Sequence, residues 1–173
     1  MIQIYTGNGK GKTTAALGLA LRAAGHSIKT LFIQFMKSEN CGYGENEAVR
    51  MLYPYIELHA FGRECFVNKH NPNQIDREYA IEAYEFFKKS LKSSNYRIFV
   101  LDEICVALDY GLIPLAELLS ILRNLDKDAV EVVLTGRYAP KELYEVADLI
   151  TEFKEVKHYY EQEGIAGRKG IDF

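Results

Sequence analysis

Cysteine is scarce in this chain of 173 residues: Cys41, Cys65 and Cys105 are its only three. An odd number with no Cys-x-x-Cys spacing favours neither a disulfide framework nor a zinc site, and it fits a reducing cytoplasm. No apolar run approaches the ~20 residues needed to cross a bilayer, and Met1 leads straight into a strand-like segment, leaving no room for a signal peptide. Positive charge is not in excess either. With 21 Lys and Arg against 24 Asp and Glu, the net charge is −3, and only a loose basic tail (Lys154, Lys157, Arg168, Lys169) breaks the acidic balance, which argues against a nucleic-acid-binding surface. Hydrolase signatures of the GxSxG and HExxH kind are missing, as are repeats and low-complexity stretches. His26, His59, His70 and His158 stand at no metal-ligand or triad spacing, and His26 and His59 read as structural. The expectation is a cytoplasmic protein with no nucleic-acid and no membrane partner.

A 48% hydrophobic content over this length suits one well-buried domain spanning residues 1–173. Short β-branched or aromatic runs predict strands at Ile2–Tyr5, Thr30–Gln34, Tyr55–His59, Ile98–Asp102, Val130–Thr135 and Leu149–Phe153. Helical segments fill the gaps. Ala15–Ala24 is apolar almost all round and stops at Gly25, which predicts a helix buried against the sheet. Asp76–Leu91 carries Ala80, Tyr84, Phe87 and Leu91 on one stripe, and Leu115, Leu118, Leu119 and Leu122 repeat the pattern after Pro114. Such alternation predicts a three-layer α/β domain with helices on both faces of a mostly parallel sheet, and ligands at the carboxyl ends of its strands. Met36–Asn46 and Ala60–Gln74 do not fit the alternation and follow strands at that edge.

Between the first strand and the first helix lies Thr6-Gly7-Asn8-Gly9-Lys10-Gly11-Lys12-Thr13-Thr14. Glycines allow backbone N–H groups to converge on phosphate oxygens, the helix N-terminus adds partial positive charge, and Lys12 neutralises more. The Thr13 hydroxyl is placed to meet Mg²⁺. Gly7, Asn8, Gly9, Lys10, Gly11, Lys12, Thr13 and Thr14 are therefore the candidate nucleotide-binding residues. The pattern departs from a P-loop at one position, where Thr6 stands for the first glycine.

The strand Ile98–Asp102 ends in Asp102 and Glu103, carboxylates able to hold Mg²⁺ opposite Thr13. Val132–Thr135 leads into Gly136 and Arg137, which brings a guanidinium to the same edge to meet triphosphate charge. No general base is evident, as a reaction with an intrinsically strong nucleophile would allow. These residues leave open a P-loop small-molecule kinase, for which an arginine-rich lid is lacking, and a non-catalytic ATP-sensing module that orders Met36–Asn46. A GTPase fits less well, because Asn68-Lys69-His70-Asn71 lacks the aspartate of a guanine-reading motif.

The P-loop segment through Gly18, together with Ile33–Lys37, Leu101–Glu103, Leu134–Pro140, Ala147–Glu152 and Lys157-His158, resembles the ATP:corrinoid adenosyltransferases over nearly the whole chain. Gly170-Ile171-Asp172-Phe173 is similar to that family's closing segment. The resemblance implies a P-loop NTPase (RecA-like) domain in which corrinoid Co(I) attacks the ribose 5′ carbon of ATP and triphosphate leaves whole. It implies Lys12, Thr13 and Glu103 as catalytic residues, Mg²⁺ held by Thr13 with Glu103 or Asp102, a corrinoid-reducing flavoprotein or other reductase as partner, and a homodimer. The family places aromatic side chains beneath the corrin to keep an axial ligand off cobalt. Its usual Gly-Phe-Thr-Trp stretch is replaced here by Gly62-Arg63-Glu64-Cys65-Phe66, and the chain has no tryptophan. Phe61, Gly62, Arg63, Phe66 and Asn68 are the corrinoid-binding candidates. Family members often carry a segment before the first strand that covers the site, whereas this chain begins at the strand.

Overall fold

Six strands form one sheet in the computed structural model, which describes residues 1–93 and 95–173. They are β1 (Ile2–Thr6), β2 (Thr30–Phe35), β3 (Ile56–Phe61), β4 (Ile98–Asp102), β5 (Glu131–Thr135) and β6 (Leu149–Glu152). Their order is β3-β2-β4-β5-β1-β6, and every pairing is parallel. The sheet is thus wholly parallel among the described residues, a step beyond the mostly parallel one expected. β5 lies between the strand that feeds the phosphate loop and the strand that ends in the two carboxylates, so both open toward the same edge.

Alternate side chains of the central strands go to opposite faces, as the pleat requires. Leu31, Ile33 and Phe35 of β2 join Phe99 and Leu101 of β4 on one face, beneath α3 (Gln74–Leu91), α4 (Ile104–Asp109) and α5 (Leu115–Arg123). Phe32, Val100 and Val133 turn the other way, toward α1 (Lys12–Ala24). α2 (Gly44–Arg50) packs beside α1 through Val49, against Ala20 and Ile56. The result is the three-layer α/β architecture of a P-loop NTPase-like domain.

The stripe on α3 faces the core as expected, with Ala80, Tyr84 and Phe87 buried. Helix α1 differs from expectation: Ala16, Ala20 and Ala23 are buried, but Leu21 is 57% exposed. Small alanines let the helix lie close to the sheet, and that contact turns Leu21 to the other side. Gly25 caps α1 in a right-handed conformation, and the left-handed turn falls two residues later, at Ser27. The remaining helices, α6 (Lys141–Tyr144) and α7 (Tyr159–Glu163), are short. No helix among the described residues is long and apolar enough to cross a membrane.

Candidate functional site

The carboxyl ends of β1, β2, β4 and β5 open into one cavity of about 690 Å³, lined by the phosphate-loop residues Asn8 to Thr14 and by Lys37, Glu103 and Arg137. The loop is pressed against the chain leaving β6. The Gly9 N–H donates to the Phe153 carbonyl at 2.6 Å, and a Cβ on Gly9 would lie 2.7 Å from that oxygen, so only glycine fits. Gly11 precedes α1 without a side-chain cap, leaving the first helical N–H groups for an anion. Thr6, which breaks the glycine pattern, is buried, and its hydroxyl accepts the Ala139 N–H at 3.4 Å. The exchange ties the end of β1 to the segment after β5.

Lys12 is buried, and its ammonium donates to the carbonyls of Gly7 at 2.7 Å and Gly9 at 2.8 Å. Burial pulls its pKa below the ordinary lysine value, against the opposing pull of the Glu103 charge. Phosphate oxygens are stronger acceptors than these carbonyls and can take over both bonds.

Asp102 organises the β4 side of the cavity. It is fully buried, and its Oδ1 accepts the hydroxyls of Thr13 at 2.8 Å and Thr135 at 2.7 Å. Its Oδ2 accepts the Lys37 ammonium at 2.9 Å and the Gln34 amide at 3.3 Å. Burial opposes the charge on Lys37, but the Asp102 carboxylate outweighs it and raises the ammonium's pKa. Thr13, whose O–H donates to Asp102, keeps its oxygen lone pairs for another partner. Glu103 follows in a left-handed conformation, φ 64°, fixed by its N–H donating to Thr135 Oγ1 at 3.0 Å, and its side chain lines the cavity. Burial and then the Asp102 charge push its carboxyl upward. Beside it, burial followed by the Glu103 charge pushes the Cys105 thiol up to about 12, so it stays a protonated, unreactive thiol.

Lys12, Thr13, Asp102, Glu103 and Arg137 are thus brought together as the sequence suggested. The corrinoid candidates are spread more widely. Phe66 lies on the rim of the same cavity, fully exposed. Phe61 ends β3 and packs on Phe86, with ring centroids 5.7 Å apart. Arg63 forms two hydrogen bonds with Asp76, at 2.8 and 2.9 Å, and Asp76 in turn caps the start of α3 through the Asn73 N–H. The Asn68 side chain accepts the His70 N–H at 3.0 Å. Gly62 is where the segments after β2 and β3 touch: a Cβ there would meet the Lys37 nitrogen at 2.6 Å.

Two sets of residues escaped the sequence reading as site residues. Lys37 and Tyr43 line the cavity from the segment after β2; the position of Lys37 just past a strand at the ligand edge was the available signal. The chain beyond His158 folds across the phosphate loop, so Ile165, Gly167, Ile171 and Phe173 also line the cavity. Asp172 holds this tail in place. It accepts the Lys10 ammonium at 2.6 Å, the Arg168 N–H at 2.9 Å and the Tyr159 hydroxyl. Its carboxyl is held well below the usual carboxylate range, first by the Lys10 contact and then by Tyr159.

Because the folded pKa of Asp172 is depressed, the latch is at full strength above the ordinary value of ~4 and weakens only as pH falls below it. Asp172→Asn is therefore expected to free the tail at neutral pH, seen as faster proteolytic cleavage after Arg168 or Lys169 and no change in the global melting temperature. Cleavage at the wild-type rate would show that the latch does not hold the tail.

The model of the family described as ATP:corrinoid adenosyltransferase BtuR/CobO/CobP matches residues 1–173. The corrinoid adenosyltransferase of Sinorhizobium sp is 33% identical over 174 residues, covering 100% of this chain and 80% of that protein. Those of Escherichia coli (strain K12) and Salmonella typhimurium, the latter named CobA, are each 32% identical, covering 100% of this chain and 85% of each relative. A family match over the whole length, on a parallel sheet with its phosphate loop and two carboxylates at one edge, makes this chain a transferase that belongs to the ATP:corrinoid adenosyltransferase family.

Proposed function

We propose that the protein, acting as one domain over residues 1–173, transfers the 5′-deoxyadenosyl group of ATP to the Co(I) of a reduced corrinoid and releases inorganic triphosphate. The observation that carries this reading is the convergence of Lys12, Thr13, Glu103 and Arg137 on one cavity. In the transfer an electron pair of the Co(I) substrate forms the bond to C5′, the C5′–O bond breaks, and its pair stays on the triphosphate oxygen. No proton moves, so the protein's task is to position two substrates and stabilise a highly charged leaving group.

Each residue has a part in that task. Gly7, Asn8, Gly9, Lys10, Gly11 and Thr14 hold the triphosphate through the loop, and Lys12 exchanges the carbonyls of Gly7 and Gly9 for phosphate oxygens. Arg137 adds charge from the end of β5. Thr13 and Glu103 are hard oxygen donors on one cavity, a set that suits Mg²⁺, which takes few protein ligands and shares its shell with phosphates and water. When bound, Mg²⁺ would neutralise triphosphate charge; Thr13 and Glu103 would hold it, with Asp102 beside them orienting the Thr13 hydroxyl.

The corrinoid lies over the rim where Phe66 projects, bounded by Phe61, Gly62, Arg63 and Asn68. A corrinoid-reducing flavoprotein or other reductase supplies Co(I) in the cytoplasm, and the protein acts as a homodimer. Phe66 serves to exclude an axial ligand of cobalt. Accordingly, Phe66→Ala is expected to slow turnover roughly tenfold, the scale of one aromatic contact, when Co(II) corrinoid is reduced enzymatically, and far less with pre-reduced Co(I). Equal losses under both conditions would take Phe66 out of that role.

The test of the reaction itself is optical. Mixing the protein with Mg-ATP and chemically reduced corrinoid is expected to give the light-sensitive spectrum of a cobalt–carbon bond, dependent on both substrates. Absence of that spectrum would refute adenosyl transfer.

A further inference from the structure

Lys37 occupies an unusual place for a lysine bonded to a buried carboxylate. It stands just past β2, its backbone wedged against Gly62, and its side chain is 16% exposed. The ammonium bonds Asp102 Oδ2 at 2.9 Å and lies 5.4 Å from the centre of the Tyr43 ring. Among the described residues that is its one hydrogen bond, so it keeps two of its three donors.

Those donors belong to a side chain in the wall of the phosphate cavity. A single carboxylate separates Lys37 from Thr13: Asp102 takes the Thr13 hydroxyl on one oxygen and the Lys37 ammonium on the other. Asp102 already has the hydroxyls of Thr13 and Thr135 and the Gln34 amide. A cation serving only to neutralise it would not need to face the cavity as well.

We infer that Lys37 is a second phosphate-binding cation, which contacts the triphosphate from the end of β2 while staying anchored on Asp102. The inference rests on the adenosyl-transfer reading, in which the triphosphate gains a full negative charge as the C5′–O bond breaks. A cation held in place beforehand stabilises that charge without reorganising. Anchoring on Asp102 supplies the fixed position that a free lysine, with its four-carbon stem, lacks.

The test separates a phosphate contact from a purely structural one by removing the need for charge pairing. Lys37→Met is made alone, with the Asp102 carboxylate still held by Thr13, Thr135 and Gln34, and together with Asp102→Asn, where no charge is orphaned. Affinity for inorganic triphosphate is measured by calorimetry with EDTA present, so no metal contributes. A direct contact predicts that Lys37→Met weakens binding roughly ten- to a hundredfold relative to wild type, both alone and with Asp102→Asn, the range of a charge-assisted hydrogen bond, and that Lys37→Arg alone keeps most of the affinity. A change under about twofold would overturn the inference. So would loss of the fold in both Lys37→Met and Lys37→Gln, which would assign the residue to stability. Wild-type protein and Lys12→Ala run alongside: triphosphate bound by the first and lost by the second upholds the loop's role whatever Lys37 does. A wild type that does not bind triphosphate would count against both readings.

Discussion

Lys12→Ala is expected to lower adenosyl transfer roughly a hundred- to a thousandfold while leaving the protein as stable as before, or slightly more so. The rate loss follows from its position: the ammonium sits inside the loop on two carbonyls, at 2.7 and 2.8 Å, bonds that phosphate oxygens, as stronger acceptors, can take over. Stability survives because burial disfavours this charge, as its lowered pKa shows, and because Lys12 lines the cavity, so the space it vacates admits water to the two carbonyls. Steady-state rates and thermal melting, measured on the same preparation, check both halves. Wild-type-like rates would mean the loop does not stabilise the leaving group. A large drop in melting temperature would mean Lys12 is a structural residue.

Asp102→Ala should do the reverse, damaging fold and activity together. It removes the only hydrogen-bond partner of the Lys37 ammonium among the described residues and the acceptor of two hydroxyls, on a side chain that is 0% exposed. Breaking one half of a buried pair costs about 3–5 kcal/mol, because the surviving charge is left without a partner. In a chain of this size that is a fall of roughly 10 °C in melting temperature. Asp102→Asn, which keeps the shape and the acceptor for Thr13, should lose less than half as much. Denaturant unfolding with tryptophan-free fluorescence from tyrosine, or circular dichroism, gives the comparison. A cost below about 1 kcal/mol for the alanine variant would show that solvent reaches Lys37 and that the pair does not organise the cavity.

The ligand edge was legible from sequence where its residues are contiguous and chemically distinctive. Lys12 and Thr13 follow glycines between a strand and a helix, and Asp102 with Glu103 ends an apolar strand; both patterns state their geometry locally. All six strands were visible because β-branched and aromatic residues cluster in them. Helices α2, α4, α6 and α7 were not, since they have 7, 6, 4 and 5 residues, too few to show a helical period and too short to form without tertiary contacts. In α4 the run Ile104, Cys105, Ala107 and Leu108 is buried, a composition that a strand would share.

Contacts between distant segments were illegible for a different reason. Asp172 meets Lys10 across 162 positions of sequence, and neither residue carries a motif that names the other. The site's cover is therefore a tertiary fact, formed here by the tail beyond His158. Asp102 shows the same limit at closer range. Sequence placed two carboxylates at the strand end without separating their parts; the structure buries one beneath four donors and turns the other to the cavity.

Adenosyl transfer differs from every phosphoryl-transfer alternative in the fate of the phosphate chain, because the bond that breaks is C5′–O and no phosphorus–oxygen bond is touched. Phosphorus NMR of a completed reaction with Mg-ATP and reduced corrinoid reads this directly. The predicted result is inorganic triphosphate in equal amount to the adenosylated corrinoid, with no ADP. ADP and orthophosphate, or a consumption of ATP indifferent to the corrinoid, would contradict it.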